Sequence, residues 1–416
     1  MENYRPVESG IFKLLPALKG SPSTLKWLIT FDEDVNESAL EEAIRRTVAT
    51  FPLLGKKIAG RDGIYFYADN PLPFVISKGL KEVQPFLPEG NFHSMTFSYE
   101  KNKLCILVDH IFFDGAGMVT VLDTFFYHYF CSVDKKKYDV PSGVFVDNFD
   151  GLTAEPFPQK FETDDEPFFD NDSGEHDIFK FPELNPSLSQ EELIKATELI
   201  TVSADSGQFM RYVKSVGGTP LSALTTLFFT IFQKSHPANE KILKNITSVS
   251  LRSISESPDT ILNAAYALSY FSTPENALKV DFDSERARNV ELRKILKRYR
   301  EPENMKKIAN ELIAVNDRIK SWLKNPSASE MPQIFSGGAV SFYIVYFGSF
   351  HLSEYAQRIT CLQTFSNVNP VYSCMFFELG NKFFINLRQP FHSDLYKNIL
   401  VEELHKRGVT SARLEI

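Results

Sequence analysis

His110 differs from the chain's other histidines by its neighbours. It stands in Asp109-His110-Ile111-Phe112-Phe113-Asp114-Gly115, flanked by acidic residues and followed by glycines. An imidazole with an ordinary pKa of about 6.5 is mostly neutral near pH 7 and can take a proton from a hydroxyl, an amine or a thiol. A general base does this in group transfer, and acyl transfer of that kind needs no metal. The His-x-x-x-Asp-Gly spacing arises by chance in roughly one chain in thirty of this size at average residue frequencies, so its surroundings must decide its meaning. The competing reading is a core histidine satisfied by backbone hydrogen bonds. Asp114 has two readings as well: it can orient the imidazole, as the acid of a triad does, or cap a helix. Gly115 and Gly117 suit close helix packing or close approach of backbone to a substrate.

The elements around the motif suit a base. Leu104-Cys105-Ile106-Leu107-Val108 has no polar alternation, which predicts a central strand buried on both faces. With Met95 to Tyr99 it forms a hairpin around Glu100-Lys101-Asn102-Lys103. That strand leads directly into Asp109-His110, and its end is rigid yet accessible. Met118 to Phe130 is apolar nearly all round, the mark of a helix buried between layers. Upstream, Thr24 to Phe31 reads as a strand. Leu40, Ala43, Ile44, Thr47, Val48 and Phe51 keep a helical period, with a capping box offered by Ser38 and Glu41 and a stop at Pro52.

Composition turns acidic and aperiodic from about Ala154 to Pro186, which predicts a crossover between two halves. We expect an N-terminal unit over 1–165, a linker over 166–186 and a C-terminal unit over 187–416. The second half repeats the alternation. Strands are expected at Leu199 to Val202 and Ile246 to Leu251, with helices at Gly207 to Val216 and Leu221 to Gln233. A charged helical stretch, Ser284 to Leu323, is broken near Pro302. Strands at Ala339 to Phe347, Ile359 to Thr364, Val371 to Phe377 and Phe383 to Leu387 precede a closing helix, Leu395 to His405.

At 416 residues either half can bury a core, and 43% apolar with 24% charged residues is ordinary for a globular protein. A net charge of −8 argues against nucleic-acid or anionic-membrane partners, which call for concentrated Lys and Arg. Cys105, Cys131, Cys361 and Cys374 lie in or beside apolar runs without zinc-ligand spacing, so we expect reduced thiols and no metal. No secretory leader is legible at the N-terminus and no apolar run reaches about 18 residues, which gives the expectation of a cytoplasmic protein without a transmembrane segment.

His110, Asp114 and Gly115 match the signature of a known superfamily, which the chain resembles: chloramphenicol acetyltransferase, carnitine acyltransferases, nonribosomal-peptide condensation domains, plant BAHD acyltransferases and alcohol acetyltransferases. Val7-Glu8-Ser9-Gly10, Phe51-Pro52-Leu53-Leu54-Gly55, Gly218-Thr219-Pro220-Leu221, Val249-Ser250-Leu251-Arg252 and Phe365-Ser366-Asn367-Val368 extend the likeness, in similar order, over most of the chain. Two features depart from it. Asp109 stands where condensation domains usually carry a first histidine, and the BAHD Asp-Phe-Gly-Trp-Gly is missing, with only a distant echo in Phe347-Gly348-Ser349-Phe350. The alcohol acetyltransferase and polyketide-associated acyltransferase branch is the nearest likeness.

The resemblance implies an α/β fold of two similarly folded chloramphenicol-acetyltransferase-like domains, each a mixed sheet with helices, facing each other across a tunnel. It implies acyl transfer from a thioester, acyl-coenzyme A or an acyl-carrier pantetheine, to a hydroxyl or amine of a small-molecule acceptor. A carrier protein is the partner in the second case, and no permanently bound cofactor is implied. His110 would be the base, with Asp114 turned away and paired with Arg252, whose competing reading is a solvated strand end. Thr364, Ser366 and Asn367, beside the late strands, are candidates for holding the oxyanion, although such residues at strand ends commonly belong to turns. The alternatives are a non-catalytic binding or scaffold protein of the same fold and a condensation-type, amide-forming enzyme.

Overall fold

The computed structural model describes residues 5–18, 23–164, 177–184, 187–189, 192, 195–272, 282–325, 340–367 and 371–415. Its strands are β1 (Arg5–Pro6), β2 (Thr24–Phe31), β3 (Lys56–Arg61), β4 (Ile64–Asp69), β5 (Ile76–Lys78), β6 (Met95–Glu100), β7 (Lys103–Asp109), β8 (Glu198–Asp205), β9 (Leu243–Ser250), β10 (Ala265–Ser272), β11 (Phe342–Ser349), β12 (Ile359–Ser366), β13 (Tyr372–Leu379), β14 (Lys382–Gln389) and β15 (Arg413–Glu415). The helices are α1 (Leu14–Leu18), α2 (Glu37–Thr50), α3 (Gly115–Val133), α4 (Ser206–Ser215), α5 (Pro220–Ser235), α6 (Phe282–Tyr299), α7 (Pro302–Lys324) and α8 (Leu395–Lys406).

β7 lies at the middle of a five-stranded sheet in the order β12-β2-β7-β6-β5. It is buried from Leu104 to Asp109, as expected of an apolar run with a neighbour on each side. β6 and β7 form the expected hairpin, Met95 pairing with Val108 and Glu100 with Lys103. A seven-stranded sheet runs β10-β9-β11-β13-β14-β8-β15 and is mixed, β11 lying parallel to both β9 and β13. A small sheet, β1-β4-β3, completes the set. The charged helical stretch breaks into α6 and α7, with Pro302 at the first position of α7, where a missing N–H costs nothing.

Two details depart from the sequence expectations. The α2 cap is Asn36, whose side chain accepts from the Ala39 amide at 3.0 Å; the Ser38–Glu41 capping box does not form. Asn at the N-cap is among the best acceptors, so the helix starts one residue ahead of Ser38. More consequentially, β12 does not join the second half's sheet. It pairs antiparallel with β2, Thr364 opposite Trp27 and Ser366 opposite Leu25. The sheets therefore do not divide at 166–186: a strand from the region 187–416 closes the edge of the first sheet. Much of the acidic stretch itself lies outside the described residues.

Packing follows the same sharing. Trp27, fully buried on β2, meets Phe347, Phe350 and Phe377 with ring centroids 5.5, 6.0 and 5.9 Å away. One core cluster combines first-half residues with Leu312, Val315 and Ile319 of α7 and with Phe377 and Phe384 of the late strands. A second gathers Phe181, Phe232, Tyr372 and Tyr396 around the seven-stranded sheet. No single described helix is long and apolar enough to cross a membrane.

Candidate active site

The motif His110-x-x-x-Asp114-Gly115 begins where β7 ends. Asp109 donates its backbone N–H to Ser94 and His110 donates its own to Ser23, both at 2.8 Å, so the last pairings hold the strand up to the histidine. The Asp109 carboxylate then accepts the Ile111 amide at 2.8 Å and turns the chain sharply. Asp109 is fully buried, and its second oxygen has no hydrogen-bond partner among the described residues. Burial pushes this carboxyl up to about 7, against the Ile111 amide and the charge of Lys13.

His110 hydrogen-bonds the Phe113 carbonyl through Nδ1. A carbonyl only accepts, so Nδ1 carries the proton and Nε2 holds the basic lone pair. The ring is therefore oriented by backbone, and among the described residues no carboxylate takes the part a triad acid plays. Burial, and after it the cation of Lys13, lowers its pKa to about 3, so the imidazole is neutral throughout the physiological range.

Asp114 faces the other way. Its carboxylate takes a bidentate pair from Arg252, Nη1 to Oδ2 at 2.7 Å and Nη2 to Oδ1 at 2.8 Å. It also accepts the Gly117 amide at 2.9 Å, capping α3, and the Ala264 amide at 3.0 Å. Helix cap and ion pair coexist in one carboxylate. Burial alone would raise its pKa, but Arg252 and the two amides outweigh that and hold it below the usual carboxylate range. Arg252 is further fixed by the carbonyls of Thr260 at 3.1 Å and Leu262 at 2.9 Å. The segment after β9 thus wraps the motif, and a bridge between Phe113 and Leu262 completes the contact.

The glycines explain how close this wrapping is. A Cβ at Gly115 would overlap the Phe347 ring, and one at Gly117 would overlap the Ile261 carbonyl. Any side chain there would push apart the start of α3 and the second half.

The oxyanion candidates separate by register. Asn367 accepts the Thr24 amide through its side chain at 2.7 Å and donates its own amide to the Thr24 carbonyl at 3.1 Å. Thr24 is paired with Asp109, so Asn367 stands on the row beside the turn that bears His110. Ser366 is one row back, and Thr364 three rows back beside Trp27, with a buried hydroxyl that has no partner among the described residues.

Sequence reasoning missed Lys13, whose Nζ lies 2.9 Å from His110 Nδ1 and 3.0 Å from Nε2. Its one local signal is a lone cation within Ile11-Phe12-Lys13-Leu14-Leu15.

Comparison with solved structures shows that the chain has the chloramphenicol-acetyltransferase-like fold. The trichothecene 15-O-acetyltransferase TRI3 of Fusarium sporotrichioides superposes with a TM-score of 0.66 at 11% identity, over 98% of this chain and 94% of that one. Polyketide synthase associated protein 5 of Mycobacterium tuberculosis gives 0.57 at 12% identity, over 97% and 99%. TRI101 of F. sporotrichioides, solved with coenzyme A and T-2, gives 0.57 at 11% identity over 100% of both chains. No family model matches the sequence, and no curated protein matches it by sequence.

Proposed function

We propose that this protein is an acyltransferase that moves an acyl group from a thioester, of coenzyme A or of a carrier protein, to a hydroxyl or amine. The observation that carries the reading is the placement of His110: directly after the central strand, with Nδ1 held on the Phe113 carbonyl, which leaves Nε2 to act as the base. The acceptor's proton passes to Nε2 as its oxygen or nitrogen attacks the thioester carbonyl carbon. The tetrahedral adduct then collapses with cleavage of the C–S bond, and the imidazolium returns the proton to the departing thiolate. Donor and acceptor enter between the halves from opposite sides. Asp114 and Arg252 take no part in proton transfer; they brace the turn. For the oxyanion, register favours Asn367 and Ser366 over Thr364. The fold neighbour solved with coenzyme A supports a thioester donor of that type.

The test is release of free thiol from a panel of acyl-coenzyme A thioesters offered with alcohols and amines. His110→Ala should remain folded and lose about 10²–10⁴-fold in turnover, the usual share of a general base. Wild-type turnover in that variant would remove His110 from the mechanism. Coenzyme A binding without any turnover would assign a binding protein of this fold instead.

A further inference from the structure

The two distances from Lys13 Nζ to the His110 ring nitrogens, 2.9 and 3.0 Å, are nearly equal, and that locates the ammonium. The in-plane lone pair of Nε2 points away from the ring, and an atom on that line lies well beyond hydrogen-bond reach of Nδ1. Nζ is therefore off both in-plane directions and lies across the ring. The in-plane lone pair of Nε2 is therefore not taken up by Lys13. Ile11, Phe12, Leu14 and Leu15 are all buried around Lys13, so its chain position is set by packing on both sides.

The charges acting on this pair lie at the end of β7 and the head of α3. Asp109 closes β7 with one carboxylate oxygen that has no partner among the described residues, and Asp114 heads α3 with its charge matched by Arg252. α7, packed against 11–13, brings Lys320, which is paired with Glu8 and Asp317. Lys13 is thus the cation set directly against the imidazole, and Asp109 its incompletely satisfied counter-charge.

We propose that Lys13 is a positioning residue for the base: its charge, laid across the imidazole, opposes imidazolium formation and keeps Nε2 unprotonated where an isolated histidine would be cationic. This rests on the acyltransferase reading for its purpose, but its physical content does not. Two cations about 3 Å apart in a partly buried site repel strongly, so the pair holds one positive charge between them. Burial also draws the Lys13 amine down to about 7, with Asp114 and Asp109 opposing.

The experiment is an NMR titration of the His110 ring C–H from pH 3 to 9, the resonance assigned by its absence in His110→Gln. In the wild type it should not titrate above about pH 5, well below the ordinary value of about 6.5. Lys13→Met should raise the midpoint by about one pH unit or more, a tenfold gain in proton affinity, while Lys13→Arg should leave it near wild type. Lys13→Gln serves as a second neutral variant. An unchanged midpoint in a folded neutral variant overturns the proposal, and so does a wild-type midpoint at 6 or above. In turnover, the acid limb of kcat/KM should move upward with the same variants. Absence of turnover in the wild type sinks the acyltransferase reading and leaves the titration result standing.

Discussion

At the scale of the residue, the site is a set of groups whose proton affinities have been pushed in opposite directions by burial. His110, down to about 3, stays neutral in the fold, whereas in the unfolded chain it protonates near about 6.5. Its contribution to stability is therefore full above that value and is lost as pH falls toward the folded one. Asp109, pushed up to about 7, has the reverse sign: its contribution is present below the ordinary carboxylate value of about 3.9 and is lost as pH rises through 7. Asp114, held low, adds a loss only in stronger acid. Between roughly pH 4 and 6.5 the His110 and Asp109 slopes oppose each other. His110→Gln removes one of them, so its melting temperature should rise on acidification relative to wild type across that window. Thermal melts from pH 4 to 7 measure the difference, and parallel curves for the two proteins would contradict it.

At the scale of the element, the start of α3 is where the two halves meet. One carboxylate caps the helix, receives Arg252 from the segment after β9 and accepts the Ala264 amide. Removing one partner of a buried pair leaves the other charge uncompensated, which typically costs about 3–5 kcal/mol. Asp114→Ala and Arg252→Ala should each destabilise by that order and lower turnover with it, because the turn bearing His110 loosens. The double variant should cost much less than the sum of the two, as measured by urea denaturation. Additive losses would mean that the two side chains are not coupled. Retained stability with lost turnover in Asp114→Ala alone would restore the triad-like role that its hydrogen bonds argue against.

At the scale of the whole molecule, β12 and the aromatic junction around Trp27 leave the first half without a core of its own, while the second keeps a separate cluster around the seven-stranded sheet. The first sheet needs a strand from beyond residue 358, and the cluster beneath it includes Phe377 and Phe384. Such sharing couples the halves, so unfolding should be a single transition, with far-ultraviolet circular dichroism and tryptophan fluorescence coincident. Trp27 at the junction reports the separation of the halves directly. Two resolved transitions would show that the halves hold together more weakly than their shared core requires.

Much of this was legible in residue order. The uniform apolar run of Leu104 to Val108, the all-round apolar helix after it and the turn residues between them are local signals, so the strand, the helix and His110 at their junction could be read directly. The interruption of the charged helices at Pro302 was legible for the same reason, since proline acts on its own turn. What required the folded chain are relations between segments far apart. That Asp114 meets Arg252, 138 residues away, was suggested only by likeness to known proteins. The pairing of β12 with β2 depends on which sheet edge is open, and a strand's own pattern carries no record of its partner. Lys13 lies 97 residues from the ring it covers, and nothing in its local run distinguishes a cation at a reacting group from one at the surface. Alternation and capping act over a few residues, whereas the charge around a base is set by whatever the fold places against it.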